Sequence, residues 1–342
     1  MSKTIKIEAF AKINHILNVF GRRPDGFHEV ETLMQAVGLS DTVSVSWEQT
    51  GTSSFGEAGA YGSDLELTLD CGDSGLSCGS DNLAYRAAEL MHSLFHSNVT
   101  ERIDIEIEKR IPVAAGLAGG SADGAAVITG LAVLWGLIPE DPGERRRALL
   151  PLLTPADDRE DPDEELAVSG SRESFAMRTL LTAAAQLGSD VPFSFAAQNG
   201  VTAAIGRGRG TELEAARGIE ADAVLFTPAV PVPTGRVYAR FDSEEPCAPG
   251  SCEGFLSAGS LAEAAGFAAN MLAPASESVC PAIREVTETV REALPEAALV
   301  QLSGSGPTVF ALFKPGTAPG AEELSARLKR LPEGSLNAAK TI

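Results

Sequence analysis

Residues 111–126 read IPVAAGLAGGSADGAA, a glycine-rich turn that runs directly into an alanine-rich helical pattern. Gly116, Gly119 and Gly120 have no Cβ, so the backbone could approach a bulky anion closely. The following helix would direct unpaired N–H groups and its positive dipole end at that anion. Ser121 adds a hydroxyl suited to a phosphate oxygen or its magnesium. The local spacing leaves open an alternative in which the glycines serve only close packing.

The composition restricts the class of protein around this stretch. A chain of 342 residues with 44% hydrophobic content suits one large domain or two smaller ones. Its net charge of −20 argues against a nucleic-acid partner and against an anionic membrane surface. The five cysteines are odd in number and fit no metal-ligand spacing, which favours reduced thiols and a cytoplasmic protein. The uncharged run from Gly124 to Pro139 is too short and too rich in glycine for a membrane span and predicts a buried helix.

Alternation of apolar and polar residues predicts a strand near the start of the chain, and other local patterns predict a helix and a loop further along. Residues 5–14 alternate as in a half-buried strand, which places Lys12 and Asn14 on one face of it. Asp81 is a candidate N-cap for a helix that runs to Leu94. Residues 154–174 hold eight acidic residues against two arginines, a composition that predicts a mobile surface insertion. No calcium-loop spacing is present there.

Two further segments place polar groups in apolar surroundings. In LGSDVPF, Asp190 interrupts an apolar passage, which is costly unless the carboxylate is hydrogen-bonded or takes part in chemistry. Helix capping is the structural alternative for this residue. In LSGSGPT, residues 302–308, a glycine turn between two strands could close over a phosphate through its N–H groups, or form a tight hairpin without a ligand.

Three segments in fixed order, AKIN with DGFHEVETLMQ, then PVAAGLAGGSADGAA, then LSGSGPTVFALF, together resemble the GHMP kinases. The resemblance covers about residues 5–314 and implies a two-domain α+β sandwich with the active site in the cleft between the domains. It implies domains at 1–212 and 213–342, with the acidic stretch as an insertion. The segments GRRPDGFHEVETLMQ and LGSDVPF are similar to members that phosphorylate the 2-hydroxyl of a cytidine-diphosphate-linked methylerythritol, in the non-mevalonate route to isoprenoid precursors.

The resemblance also implies roles for individual residues. Lys12 and Asp190 match the catalytic pair, with Lys12 stabilising the developing charge and Asp190 accepting or orienting the hydroxyl proton. Phe27 and Tyr238 would stack on the two faces of the cytosine and His28 would read its edge. The remaining implied substrate contact is Asn14.

On the nucleotide side, the resemblance implies ATP as the phosphate donor, with magnesium to neutralise the charge of its phosphates. Ser121 is the hydroxyl of the turn that could contact the magnesium. Ala118 stands where these kinases usually have glycine. The implied ATP contacts are Asn82, Lys109, Pro112, Val113, Ala114, Ala115, Gly116, Leu117, Ala118, Gly119, Gly120, Ser121, Ala122, Gly304, Ser305 and Gly306.

Two other functions remain open at this point. One is another small-molecule GHMP kinase, acting on a mevalonate-type or homoserine-type alcohol, which would not need Phe27, His28 and Tyr238 around a base. The other is a non-catalytic nucleotide sensor on the same fold, which could lose Lys12 or Asp190 without losing nucleotide affinity. The sequence gives no oligomeric state, and no partner beyond ATP and the small-molecule substrate is expected.

Overall fold

The computed structural model describes residues 2–52, 65–72, 75–155, 171–245 and 247–342. Helices and strands are mixed along these ranges, which confirms the predicted α+β class. The strands are β1 (Lys3–Arg22), β2 (His28–Thr52), β3 (Leu65–Asp70), β4 (Val99–Glu108), β5 (Ala203–Arg207), β6 (Glu212–Ala215), β7 (Asp222–Pro228), β8 (Ala269–Asn270), β9 (Leu299–Leu302), β10 (Val309–Phe313) and β11 (Gly334–Lys340). The helices are α1 (Leu83–Phe95), α2 (Gly119–Leu134), α3 (Pro142–Leu153), α4 (Arg172–Leu187), α5 (Val191–Gln198), α6 (Thr234–Phe241), α7 (Cys252–Ser257), α8 (Leu261–Ala265), α9 (Ala273–Val279), α10 (Ala282–Ala293) and α11 (Ala321–Arg327).

The chain divides into two compact units, each assembled from separate stretches of sequence. The predicted domains are instead continuous in sequence, and their boundary near residue 212 stays a prediction. The first unit consists of Met1–Phe10, Ser40–Arg110 and Gly119–Val201, and the second of Ala11–Leu39, Ile111–Ala118 and Thr202–Ile342.

In the first unit, strand β4 shows why the alternating pattern forms a sheet. Ile103, Ile105 and Ile107 are buried, whereas the acidic residue that follows each of them is partly or fully exposed. Antiparallel pairing joins β4 to the Thr42–Thr52 part of β2, and parallel pairing joins it to β3. One face of the sheet is thus apolar and available to the helices.

Helix α2 is buried on almost every side, which explains why it carries no charged residue after Asp123. A Cβ on Gly124 would lie 3.2 Å from the carbonyl oxygen of Leu83 in α1, and one on Gly130 would lie 3.0 Å from Val45 Cγ2. These glycines therefore allow α2 to approach its neighbours closely. None of the helices in the described part of the chain has both the length and the apolar character that a membrane span needs.

The second unit contains a four-stranded antiparallel sheet in the order β11-β7-β10-β9. It also contains the parallel pairing of β1 with β8 and the antiparallel pairings of β2 with β5 and β5 with β6. Phe310 and Leu225 of the four-stranded sheet are buried in one cluster with Ile13 of β1 and with Ile111 and Leu117. The glycine-rich turn is thereby anchored in the core of this unit.

Two local predictions are corrected by the structure. Helix α1 is capped by Asn82, whose side chain accepts a hydrogen bond from the N–H of Ala84 at 2.9 Å, and not by Asp81. Asp81 instead accepts a hydrogen bond from the Ser77 hydroxyl at 2.5 Å. Asparagine and aspartate are equally good N-caps, so the choice between adjacent positions depends on the path of the preceding loop.

Most of the predicted acidic insertion, residues 156–170, lies outside the described residues. Its last four residues are described, and the prediction of a mobile stretch is wrong for them. Ser171 caps α4 by accepting from the N–H of Ser174 at 3.1 Å. The buried Ser174 hydroxyl donates to the carbonyl of Ala148 at 2.9 Å. This hydrogen bond holds the start of α4 against α3. Its two residues lie far apart in sequence, so local composition could not predict it.

Candidate functional site

In the second unit, the turn Ile111–Ala118 has an unusual backbone. The dihedral φ is positive at Ala114 (54°), Gly116 (76°) and Ala118 (60°) and negative at the residues between them. Positive φ in alanine costs on the order of 1 kcal/mol and clusters at functional sites. Such alternation is typical of the backbone concavities that bind anions. Ala118 therefore adopts, at some cost, a conformation that favours glycine.

The same turn packs against the GSG turn, Gly304–Gly306, within this unit. A Cβ on Gly116 would lie 2.4 Å from the carbonyl oxygen of Ser303 and 2.9 Å from that of Gly306. The Ser303 hydroxyl donates to the Gly116 carbonyl at 3.0 Å. Close packing thus explains the glycine at position 116. The sequence had left open whether these glycines serve anion binding or close packing.

Asn270, a residue to which sequence reasoning gave no role, holds the GSG turn in place. Its amide donates to the carbonyls of Leu302 at 2.9 Å and Gly304 at 2.8 Å, and its side-chain oxygen accepts from the N–H of Leu272 at 3.0 Å. The one available signal was a lone amide in the apolar run AANML. A buried amide in such a run must find partners.

Lys12 and Asn14 form the start of a buried hydrogen-bond chain. Lys12 is 4% exposed, and its ammonium donates to Asn14 Oδ1 at 2.8 Å, which confirms that the two share a face of β1. Asn14 Nδ2 donates to Thr32 Oγ1 at 2.8 Å, and Thr32 donates on to the carbonyl of Ile16 at 2.7 Å. The backbone N–H of Lys12 also donates to Leu117 in the glycine-rich turn at 3.1 Å. Thr32 was not predicted, because its partners lie on another strand.

Of the predicted base-binding residues, His28 and Tyr238 contact each other in the second unit, whereas Phe27 contacts Arg209. The Arg209 guanidinium lies 4.9 Å from the centroid of the half-exposed Phe27 ring. The ring of His28 packs on Tyr238 with centroids 4.7 Å apart and planes 31° from parallel. His28 Nε2 lies 2.7 Å from Asp242 Oδ1. These contacts place Phe27, His28 and Tyr238 in one unit, and their roles toward a base stay predictions.

In the first unit, Asp190 occupies the N-cap position of α5 and is partly buried. Among the described residues, no backbone N–H of α5 donates to the Asp190 carboxylate as a cap. The capping alternative for Asp190 therefore finds no support in the hydrogen bonds of its helix.

Ser121 lies in the first turn of α2 beside the exposed Gly120.

Lys109 lies between two buried carboxylates of the same unit. Its ammonium is 2.5 Å from Asp41 Oδ2 and 2.7 Å from Asp123 Oδ2. Burial raises the pKa of Asp123 to about 7, although the Lys109 charge opposes that shift. Burial disfavours the charge on Lys109, yet Asp123 and Asp41 outweigh it and raise the pKa of the ammonium. Lys109 thus fixes α2 to the end of β4, and its predicted contact with the nucleotide stays a prediction, as does that of the cap residue Asn82.

No group of three or more histidine, cysteine, aspartate or glutamate side chains in the described ranges could hold a metal ion. Within the second unit, the turn Ile111–Ala118 has the alternating backbone that suits an anion such as a nucleotide phosphate. The magnesium contact of Ser121 stays a prediction.

Comparison with known proteins gives matches along most of the chain. Residues 82–147 match the family model of the GHMP kinases N terminal domain, and residues 254–329 match that of the GHMP kinases C terminal. The 4-diphosphocytidyl-2-C-methyl-D-erythritol kinase of Alkaliphilus metalliredigens is 32% identical over 91% of this chain and 89% of its own. The kinase of the same name from Geobacter sulfurreducens is 33% identical over 95% of this chain and 96% of its own.

Solved structures are similar over the same extent. A crystal structure of 4-(cytidine 5'-diphospho)-2C-methyl-D-erythritol kinase superposes with a TM-score of 0.65 at 28% identity, covering 98% of this chain and 99% of that one. The homoserine kinase from Cytophaga hutchinsonii superposes with a TM-score of 0.59 at 16% identity, covering 99% and 94%. The second likeness shows a shared fold alone.

Proposed function

The chain belongs to the GHMP kinases, and from that premise we propose that it transfers the γ-phosphoryl group of ATP to the 2-hydroxyl of 4-diphosphocytidyl-2-C-methyl-D-erythritol. The observation that carries this proposal is identity above 30%, along nine tenths of the chain, to kinases named for that substrate. The contact between the rings of His28 and Tyr238 supports a base-binding subsite. A kinase for mevalonate or homoserine has no need of such a subsite.

Lys12 has the surroundings expected of a group that stabilises negative charge. Its side chain is buried, and the nitrogen donates to the amide oxygen of Asn14 in a low-dielectric site. An interaction between opposite charges is stronger there than in water. We assign to Lys12 the stabilisation of the alkoxide and of the charge on the transferring group. Asn14 holds the ammonium in place and would contact the substrate.

We assign to Asp190 the role of accepting or orienting the proton of the attacking hydroxyl. Its position matches the base of the family motif, and its side chain makes no cap hydrogen bond to α5. A nucleotide sensor would need neither this carboxylate nor the buried Lys12. The pair therefore favours an enzyme over a sensor.

ATP supplies the phosphoryl group when bound, and Mg²⁺ neutralises the charge of its phosphates. We assign the phosphates to the glycine-rich turn, 112–118, and to the first turn of α2, 119–122, with the Ser121 hydroxyl toward the magnesium. Gly304–Gly306 would line the same phosphates. Asn82 and Lys109 would lie near the adenine.

The direct test is incubation with magnesium-ATP and three separate alcohols: the cytidine-diphosphate-linked methylerythritol, mevalonate and homoserine. Mass spectrometry should show one added phosphoryl group on the cytidine compound alone, and NMR should place it on the 2-hydroxyl. Phosphorylation of mevalonate or homoserine instead would overturn the assigned substrate. ATP binding without transfer to any of the three would indicate a sensor.

A further inference from the structure

We propose that Asp242 is a positioning residue that fixes the tautomer of His28 and thereby makes the base subsite select cytosine over uracil. The inference rests on the proposed function, since it concerns how the base of that substrate is chosen. Asp242 follows helix α6 and belongs to none of the motifs that point to a kinase.

The contact between the two side chains is close and directional. His28 Nε2 lies 2.7 Å from Asp242 Oδ1, the length of a strong hydrogen bond to a charged group. A carboxylate at neutral pH can only accept, so the proton of this hydrogen bond resides on Nε2. The His28 side chain is 8% exposed, whereas that of Asp242 is 38% exposed. Most of the imidazole is thus removed from water, which would otherwise compete for the hydrogen bond to Asp242.

The ring of His28 is also held in orientation by α6. Tyr238 covers one face of it, at 4.7 Å between centroids, and Phe241 approaches edge-on at 6.4 Å with planes 85° apart. Three residues of one short segment, 238, 241 and 242, therefore determine both the plane of the imidazole and the nitrogen that carries the proton. Rotation that would exchange the two nitrogens has to break the Asp242 hydrogen bond and the Tyr238 packing together.

The chemical consequence concerns the other ring nitrogen. In the neutral imidazole with a proton on Nε2, Nδ1 presents a lone pair and is an acceptor. Cytosine carries an exocyclic amine, a donor, where uracil carries a carbonyl oxygen, an acceptor. An acceptor facing the amine forms a hydrogen bond, whereas an acceptor facing the carbonyl oxygen leaves two unpaired groups. Sites built in this way reject the wrong ligand strongly.

The test compares Asp242→Asn with the parent protein on cytidine- and uridine-linked forms of the methylerythritol substrate. Asparagine keeps the size of the side chain but can donate as well as accept, so it no longer fixes the tautomer. We expect the cytidine-over-uridine ratio of kcat/KM to fall by about tenfold or more, mainly through KM for the cytidine form, with kcat nearly unchanged. Glu244→Gln is the matched control, because it removes one carboxylate two residues away that pairs with Arg240.

A second measurement reports the tautomer without activity. The sequence has four histidines, so ¹⁵N NMR of the ring nitrogens can be assigned with a His28→Gln variant. The parent should show His28 protonated on Nε2, and Asp242→Asn and Asp242→Ala should both show a mixture. A mere packing role for Asp242 would lower the melting temperature and leave the tautomer and the base ratio as they are.

The possible outcomes separate the two proposals. If the parent prefers cytidine and Asp242→Asn retains that preference in full, the role of Asp242 is wrong and the proposed function stands. If the parent phosphorylates neither nucleotide-linked alcohol, the proposed function fails and base selection by Asp242 fails with it. An unchanged Nε2 tautomer in both variants also overturns the inference, whatever the activity.

Discussion

Asp190 stands immediately before helix α5, partly buried, with a carboxylate that does not cap that helix among the described residues. We expect Asp190→Asn to reduce the rate of phosphoryl transfer by a factor on the order of 10² to 10⁴, because a positioned proton acceptor is lost. ATP affinity should stay close to that of the parent. Single-turnover measurement of transfer and calorimetry of ATP binding test the two parts.

Asp141→Asn is the matched control for this substitution. Asp141 does cap its helix, accepting from the N–H of Glu144 at 2.8 Å, and asparagine caps equally well. Both variants remove one carboxylate from the first unit. Near-parental transfer by Asp190→Asn would refute the catalytic role, whereas equal losses in both variants would point to a general charge effect.

Single residues also show where sequence reasoning reaches its limit. Lys12 and Asn14 were predicted to act together because a strand repeats every two residues, and their side chains do meet at 2.8 Å. Thr32 and Asn270 were not predicted, because Thr32 makes its hydrogen bonds to residues at least 16 positions away in sequence and Asn270 donates to carbonyls more than 30 positions away. Long-range partners leave no local pattern. The sequence alone indicates only that a polar group in an apolar run needs a hydrogen-bond partner.

Among the elements, the glycine-rich turn is held in shape by the GSG turn. Gly116→Ala should destabilise the second unit by about 2 kcal/mol or more, because its Cβ would lie 2.4 Å from the Ser303 carbonyl oxygen and its φ of 76° disfavours a side chain. ATP affinity should fall with it, since the turn must move. Chemical denaturation and calorimetry measure both effects.

Gly320→Ala provides the comparison, because no atom lies within 4 Å of its Cβ position and its φ is −67°. It should cost less than about 1 kcal/mol, because alanine is a poorer N-cap for α11 than glycine, and it should bind ATP like the parent. A folded Gly116→Ala protein with parental stability would show that the two turns are not packed as described. Unchanged ATP affinity alongside a clear loss of stability would remove the turn from the nucleotide site.

Glu101 joins three elements of the first unit through one fully buried carboxylate. It accepts from Trp47 Nε1 at 2.6 Å, and its oxygens lie 2.6 Å from His92 Nδ1 and 2.8 Å from His96 Nδ1. Burial works against the ionised form, but the hydrogen bonds from His96, His92 and Trp47 outweigh it and lower the pKa of Glu101. The carboxylate is thus stabilised as an anion between α1, β4 and β2.

Glu101→Gln should lower the free energy of unfolding by about 3 kcal/mol, because one partner of a buried charged network is removed. Chemical denaturation at neutral pH measures the loss. Glu106→Gln, an exposed position on the same strand, should change stability by less than about 0.5 kcal/mol. Equal effects at the two positions would contradict the buried network.

Helices and strands were predicted well from the sequence where the pattern of apolar residues was long. The strand, glycine turn and strand predicted over residues 300–313 are β9, the GSG turn and β10. Strand ends were harder, since β1 continues to Arg22, eight residues past the alternating stretch. Burial of both faces removes the alternation beyond Ile13, so sequence periodicity loses its signal there.

For the molecule as a whole, sequence order could not predict how the compact units are made up. Each unit takes in stretches from separate parts of the chain, because strands β1 and β2 contribute residues to both. A domain prediction from sequence divides the chain at one point, near residue 212 here. Packing decides which distant strands pair, and no sequence pattern near residue 212 reports that pairing.

The pH dependence of stability reports on His15, which is fully buried in the second unit. Burial lowers the pKa of His15 to about 4, against a smaller opposing effect of the hydrogen bond to Gln35 at 2.9 Å. Between about pH 6.5 and 4 the unfolded chain binds a proton that the folded protein does not, so stability falls as the pH falls through that range. The loss should total about 3 kcal/mol for this residue and level off below pH 4.

Chemical denaturation from pH 7 to pH 4 should show this decline in the parent and a smaller one in His15→Gln. Glutamine can still hydrogen-bond to Gln35 and does not titrate. His28→Gln is the control, because it removes a histidine with an exposed carboxylate partner and should keep the decline due to His15. Acid losses from other groups, Glu101 among them, are common to all three proteins and cancel in the difference. A His15→Gln protein that loses as much stability as the parent would mean that His15 takes up a proton in the folded state as readily as in the unfolded one.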